Sequence, residues 1–110
     1  MEYRPQTRLA ARRNDLTRRR QALADALAVA LFLKTEYGTE VYGFGSLFDE
    51  SRDFGVSSDI DLAIVDLPKA VFFAASARAQ ELTEIDLDIV PLEDASALLR
   101  ETVLTRGVRL

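Results

Sequence analysis

Two aspartates, Asp59 and Asp61, stand at the head of an apolar run, Ile60-Asp61-Leu62-Ala63-Ile64-Val65. Residues two apart in a strand share a face and lie ~6.6 Å from one another. Both carboxylates therefore face one way, and Ile60, Leu62 and Ile64 the other. A later run repeats the pattern, with Ile85, Leu87 and Ile89 on one face and Asp86, Asp88 and Val90 on the opposite one. Aspartate is disfavoured in strands, and like charges on one sheet face repel. A divalent cation is the economical compensator, and oxygen-only ligation by carboxylate, phosphate and water suits Mg²⁺ or Mn²⁺. Two such ions ~3.5–4 Å apart would activate an attacking hydroxyl and hold the leaving oxygens of an in-line phosphoryl displacement.

The other half of such a site must hold phosphates. Gly43-Phe44-Gly45-Ser46 falls where a strand is expected to turn into a short helix. Backbone N–H groups and a hydroxyl at such a turn point at an anion, and glycine allows close approach. The stretch lacks the lysine of a P-loop and the third glycine of a dinucleotide fingerprint, so neither motif applies.

Composition narrows the chemistry further. With no Cys and no His among 110 residues, disulfides, thiol or imidazole nucleophiles and the usual zinc and haem ligands are excluded. Carboxylates, hydroxyls, Arg, Lys and bound metal remain. No apolar run of ~18 residues is present, so no membrane span is expected. The N-terminus, arginine-rich without an apolar core, does not read as a secretory signal, and a cytoplasmic location is expected. The net charge of −4 conceals an asymmetry, because eight of the fourteen basic side chains lie between Met1 and Lys34. That stretch lacks the interleaved aromatics of a single-strand binder. Direct nucleic-acid binding is therefore not expected, and a solvated helix face or partner docking is the better account.

The elements that must position these residues alternate. From about Thr7 to Glu36 there is no Gly or Pro, and Leu9, Leu16, Leu23, Leu27, Ala30 and Leu31 recur at helical spacing. This predicts one long helix, with a break possible near Asn14-Asp15, capped by Gly38. Its stretch from Leu23 to Leu33 is apolar on almost every side and is expected to be buried. Strands are expected at Glu40 to Phe44, Ser58 to Asp66 and Glu84 to Val90. Helices are expected from Pro68 to about Leu82 and from Glu93 to Arg106, the latter capped by Gly107. The result is an α/β (α+β) domain with a small mixed sheet covered by helices. The whole chain, 1–110, reads as one domain, with 1–36 the N-terminal helix and 40–110 the core.

Gly45-Ser46, then Asp59-Ile60-Asp61 after a loop, then a carboxylate on the next strand, together resemble the DNA polymerase beta-type nucleotidyltransferase superfamily. Within it, the ending Asp88-Ile89-Val90-Pro91-Leu92-Glu93-Asp94-Ala95, with Leu98, Leu99 and Gly107-Val108, is similar to the minimal nucleotidyltransferases. The resemblance spans about Glu40 to Leu110. It implies the nucleotidyltransferase fold, with Asp59, Asp61 and Asp88 as metal ligands and catalytic carboxylates, Asp88 being the base-like member. It also implies that Gly45 and Ser46 grip the nucleotide phosphates, with Mg²⁺ (or Mn²⁺) as cofactor and ATP as substrate. Minimal members commonly act beside a HEPN-type toxin as its antitoxin, which implies AMP transfer to a hydroxyl of that partner, tyrosine being favoured, within a homo- or hetero-oligomer. The alternative is a non-catalytic antitoxin that neutralises its partner by contact alone.

Two departures from the family pattern stand out. Twelve residues, Leu47 to Ser58, separate Ser46 from Asp59, more than the family's usual interval. The basic residue often found after the serine is replaced by Phe48-Asp49-Glu50, which leaves Arg52 as the nearby cation. Plainer roles compete for the same residues. The Asp59/Asp61 pair would suit a wet edge strand, and Ser46 would suit an ordinary helix N-cap. Asp86 would suit an exposed strand start, and Tyr3, Tyr37 and Tyr42 partial core packing.

Overall fold

The sheet is built from four strands in the order β3-β2-β1-β4: β1 Glu40–Phe44, β2 Ile60–Val65, β3 Leu87–Pro91 and β4 Val108–Arg109. In this computed structural model the backbone is described from Arg8 onward and side chains from Asp15 onward. Tyr3 and the side chain of Leu9 fall outside the described residues. Three helices, α1 Arg8–Tyr37, α2 Lys69–Gln80 and α3 Ala97–Arg106, complete the described architecture. β1 runs antiparallel to both β2 and β4, whereas β2 and β3 are parallel. A parallel pair needs a crossover, and α2 supplies it.

Strand alternation sorts the core onto two faces. One face carries Val41, Ile60, Leu62 and Ile64 beneath α1 and α2; the other carries Ala63 with Leu92 and Val103 of the α3 side. α1 contacts the sheet through Ala22, Ala26, Val29, Ala30 and Leu33, a stripe at the helical repeat whose small side chains bring the helix close. The expected burial of the whole Leu23–Leu33 stretch does not hold, since Leu27 and Leu31 are 57% and 65% exposed. A helix lying on one sheet buries one stripe, and among the described residues nothing covers the far side. α1 runs without a break at Asn14-Asp15. Gly38, at φ 67°, donates its N–H to the Lys34 carbonyl, the left-handed stop expected there. Tyr37 and Tyr42 pack partly buried against the two core faces.

Other boundaries shift for local reasons. β3 begins at Leu87 rather than Glu84, because side chains capture the backbone donors before it. The Ile85 N–H donates to Thr83 Oγ1 (3.0 Å), and that of Leu87 to Gln80 Oε1 (2.9 Å). The expected last helix divides into a 3₁₀ turn, Leu92–Asp94, and α3. Ser96 caps α3 by accepting the Leu99 N–H at 3.1 Å. Among the described residues no helix is long and apolar enough to cross a membrane.

Candidate active site

Asp61 on β2 is the direct partner of Asp88 on β3 in the parallel ladder, and on its other side it faces Phe44 of β1. Partners in a ladder project to the same face, and neighbouring strands lie ~4.8 Å apart. The two carboxyl groups are thus side by side on the α3 face. Asp59 precedes the first ladder residue, Ile60, and two-residue alternation carries it toward the same side. Asp59 and Asp88 are exposed, whereas Asp61 is half-buried. Burial, then the charges of Asp88 and Asp59, push the Asp61 carboxyl up from 3.8 to about 6, with Arg52 pulling the other way. Asp86 is exposed, and its carbonyl accepts the Ile60 N–H at 2.9 Å, so its backbone ties the start of β2 to β3.

These donors suit Mg²⁺ in a particular way. Among the described residues no three carboxylates form a ready-made metal cage. Mg²⁺ rarely uses one; it keeps several waters and binds through one or two carboxylates plus substrate phosphates. The adjacent pair Asp61 and Asp88, half-wet and oxygen-only, matches that habit, with Asp59 as the flanking charge.

The turn after β1 lies directly against Asp61. Gly45 has φ 74° and ψ −160°, and a Cβ there would fall 2.2 Å from Asp61 Oδ2. Glycine is required on both counts, conformation and space. The following helix is a single 3₁₀ turn, Ser46–Phe48, with Gly45 rather than Ser46 at its N-cap position and no side-chain cap bond. A helix dipole contributes little here, because one turn aligns too few peptides to build one. What the turn offers is backbone close to the Asp61 carboxylate.

A cleft of about 810 Å³ opens over this turn, with Gly45, Asp61, Arg52, Leu99 and Arg106 among its walls. A second, more apolar groove of about 610 Å³ lies where β2 and β3 end, around Leu67, Phe72 and Phe73. That end lacks the paired ladder carboxylates, and the chemistry points to the first cleft.

The long loop is anchored by α1, which the sequence did not announce. Phe54 is 1% exposed, and the guanidinium groups of Arg18 and Arg19 lie 5.7 and 6.0 Å from its ring centre. Arg18 Nε donates to the Gly55 carbonyl at 2.8 Å. Arg19 donates to the carbonyls of Ser46 (3.1 Å), Leu47 (2.9 Å) and Arg52. Reading the basic stretch as a solvated face is thus corrected at Arg18 and Arg19, whose guanidinium donors hold the loop carbonyls. The signal was present in Phe54, an aromatic set in the polar stretch after Asp49; what hid its partners was their distance of more than thirty residues in sequence. Arg106 was also missed, though it follows Leu99 by seven residues on the same helix face.

No family model matches this sequence. Curated proteins give no match either. Solved structures do. A chain described as a minimal nucleotidyltransferase is similar at 23% identity and TM-score 0.59, over 86% of this chain and 91% of that one. A chain of the toxin–antitoxin complex MntA–HepT is similar at 22% identity and TM-score 0.57, over 79% of this chain and 69% of that one. A third is a chain of the complex between tri-AMPylated Shewanella oneidensis HEPN toxin and MNT antitoxin, at 22% identity and TM-score 0.57, over 80% and 70%. A four-stranded mixed sheet, helices on both faces and a glycine turn against a ladder aspartate thus converge with these likenesses on one conclusion: this chain has the fold of the minimal nucleotidyltransferases.

Proposed function

We propose that this chain is a Mg²⁺-dependent nucleotidyltransferase that moves AMP from ATP to a hydroxyl of a HEPN-type toxin, tyrosine being the favoured acceptor, and acts as that toxin's antitoxin in the cytoplasm. The observation that carries the reading is the side-by-side register of Asp61 and Asp88, with Asp61 directly against the Gly45 turn. Solved chains of the same fold come from toxin–antitoxin complexes, one of them holding an AMPylated HEPN toxin, which supports the choice of acceptor.

The reaction forms a bond from the acceptor oxygen to the α-phosphorus and breaks the α–β bridge, releasing pyrophosphate. Bound Mg²⁺ would supply Lewis acidity at the phosphoryl oxygens and neutralise developing charge. Asp59, Asp61 and Asp88 would hold it. Asp88, exposed beside Asp61, takes the proton that the hydroxyl loses. The Gly45-Ser46 backbone aligns the triphosphate, and a partner lying over the open cleft delivers the acceptor and excludes water.

The test is pyrophosphate release from ATP with Mg²⁺ and a HEPN-type partner present. Release should require all three and should vanish in Asp61→Asn and Asp88→Asn proteins that melt like the parent. The exposure of Asp59 and Asp88 favours a second reading, an antitoxin that works by contact alone. Undiminished protection against the toxin by both Asn variants would select it.

A further inference from the structure

We propose that Arg106, together with Arg52, forms the cationic wall of the cleft and takes the β- and γ-phosphates of the nucleoside triphosphate. The assignment rests on the nucleotidyltransferase reading and extends it to residues outside the glycine turn and the carboxylates.

Four observations converge. Arg52 and Arg106 are the cationic side chains among the described residues that line the cleft beside Gly45 and Asp61. Arg106 sits in the last turn of α3, and Leu99, Thr102 and Arg106, at spacings of three and four, bring one helix face to that cleft.

The end of α3 is also fixed in place. Gly107 donates its N–H to Val103 at 2.8 Å, and a Cβ on it would fall 2.3 Å from the Val103 carbonyl oxygen and 3.2 Å from that of Gly43. Val108 then pairs with Gly43 in the sheet. α3 therefore ends against β1 two residues before Gly45, and Arg106 is held beside the phosphate turn.

Neither guanidinium is closed into a carboxylate ion pair among the described residues. Asp49, whose carboxylate feels the charges of both arginines, spends its Oδ1 on its own loop, accepting the Ser51 N–H at 3.0 Å and the Ser51 hydroxyl at 2.6 Å.

Finally, a triphosphate approaching Asp61 and Asp88 brings more negative charge to an acidic site, and the position after Ser46 supplies Phe48-Asp49-Glu50 instead of a base. Guanidinium forks match phosphate oxygens in geometry and charge. The long loop returns Arg52 to the cleft from one side, with its own carbonyl held by Arg19, and α3 brings Arg106 from the other.

The experiment measures equilibrium binding of Mg²⁺-ATP and of AMP to the full chain, without partner, for the parent, Arg106→Gln, Arg106→Lys and Arg52→Gln. Contact with the outer phosphates predicts roughly tenfold weaker ATP binding for each Gln variant, from the loss of one charge-assisted bond. AMP binding should change less than about twofold, and Arg106→Lys should recover part of the loss. Parent-like ATP affinity in Arg106→Gln overturns the assignment while leaving the nucleotidyltransferase reading intact. Equal loss of ATP and AMP also overturns it, by exposing a structural role. A parent that binds no ATP at all overturns both.

Discussion

The carboxylate of Asp61 occupies the space that a side chain on Gly45 would need: a Cβ built there lies 2.2 Å from Oδ2 and 3.0 Å from Cγ. The glycine also sits at φ 74°, where other residues are strained. Gly45→Ala should cost about 1–3 kcal/mol of stability. More tellingly, it should displace the Asp61 carboxyl and abolish Mg²⁺-dependent ATP binding. Denaturant melts and ATP titrations on the same preparation check both. Parent-like ATP affinity in this variant would contradict the role given to the turn.

The raised Asp61 carboxyl predicts how stability depends on pH without metal. Its folded value of about 6 stands above the ordinary 3.8, so the folded site prefers the neutral acid. Stability from that preference is complete below about pH 4 and is lost as pH rises through about 6. Melting temperature in chelator should therefore fall across that window in the parent, and less so in Asp61→Asn. The double change Asp59→Asn with Asp61→Asn should fold, and near pH 7 melt at or above the parent, because repelling charges leave one face. Melting well below the parent would mean that these aspartates hold the fold through bonds of their own.

Added Mg²⁺ reverses the balance. A ligand that binds only the folded state raises stability with its concentration, so Mg²⁺ should raise the parent's melting temperature near pH 7. In Asp61→Asn with Asp88→Asn the shift should disappear. An equal shift in both proteins would place the metal elsewhere.

The α1 clamp gives a prediction about the loop. Arg19 holds the carbonyls of Ser46, Leu47 and Arg52; Arg19→Ala leaves the partly buried Leu47 carbonyl without this donor, while that of Ser46 keeps the Asp49 N–H. Stability should drop by about 1–3 kcal/mol. Limited proteolysis should then cut between Leu47 and Ser58 faster than in the parent, with Arg19→Lys intermediate because one ammonium cannot reach all three carbonyls in a fixed fork. Phe54→Ala, emptying the buried position, should cost about 3–5 kcal/mol. An unchanged cleavage rate in Arg19→Ala would remove the clamp from the account.

What the sequence disclosed and what it hid divide along the range of the interactions. β1 and β2 and the shared face of Asp61 and Asp88 follow from two-residue alternation, and Gly38 as a helix stop follows from local chemistry. The start of β3 was misplaced because Gln80 and Thr83 side chains take its first donors, a competition that no periodicity records. β4 went unseen since two residues, Val108–Arg109, carry no pattern of their own and exist as a strand only through pairing with β1. Burial of Leu27 and Leu31 was overestimated because composition cannot say how many sides of a helix find a neighbour. Arg19 and Arg106 reach the site through tertiary contacts, which spacing along the chain does not encode.

Transfer of AMP to a partner protein is read most directly from the fate of label from ATP carrying a radioactive α-phosphate. The chain is incubated with Mg²⁺ and a HEPN-type protein, and each protein is followed separately. In-line attack needs a hydroxyl delivered to the α-phosphate beside Asp61 and Asp88. Label should therefore accumulate on the partner with pyrophosphate released, scarcely on the chain itself, and not at all with Asp61→Asn. A partner that stays unlabelled while the chain still inhibits it by tight binding would contradict the enzymatic account.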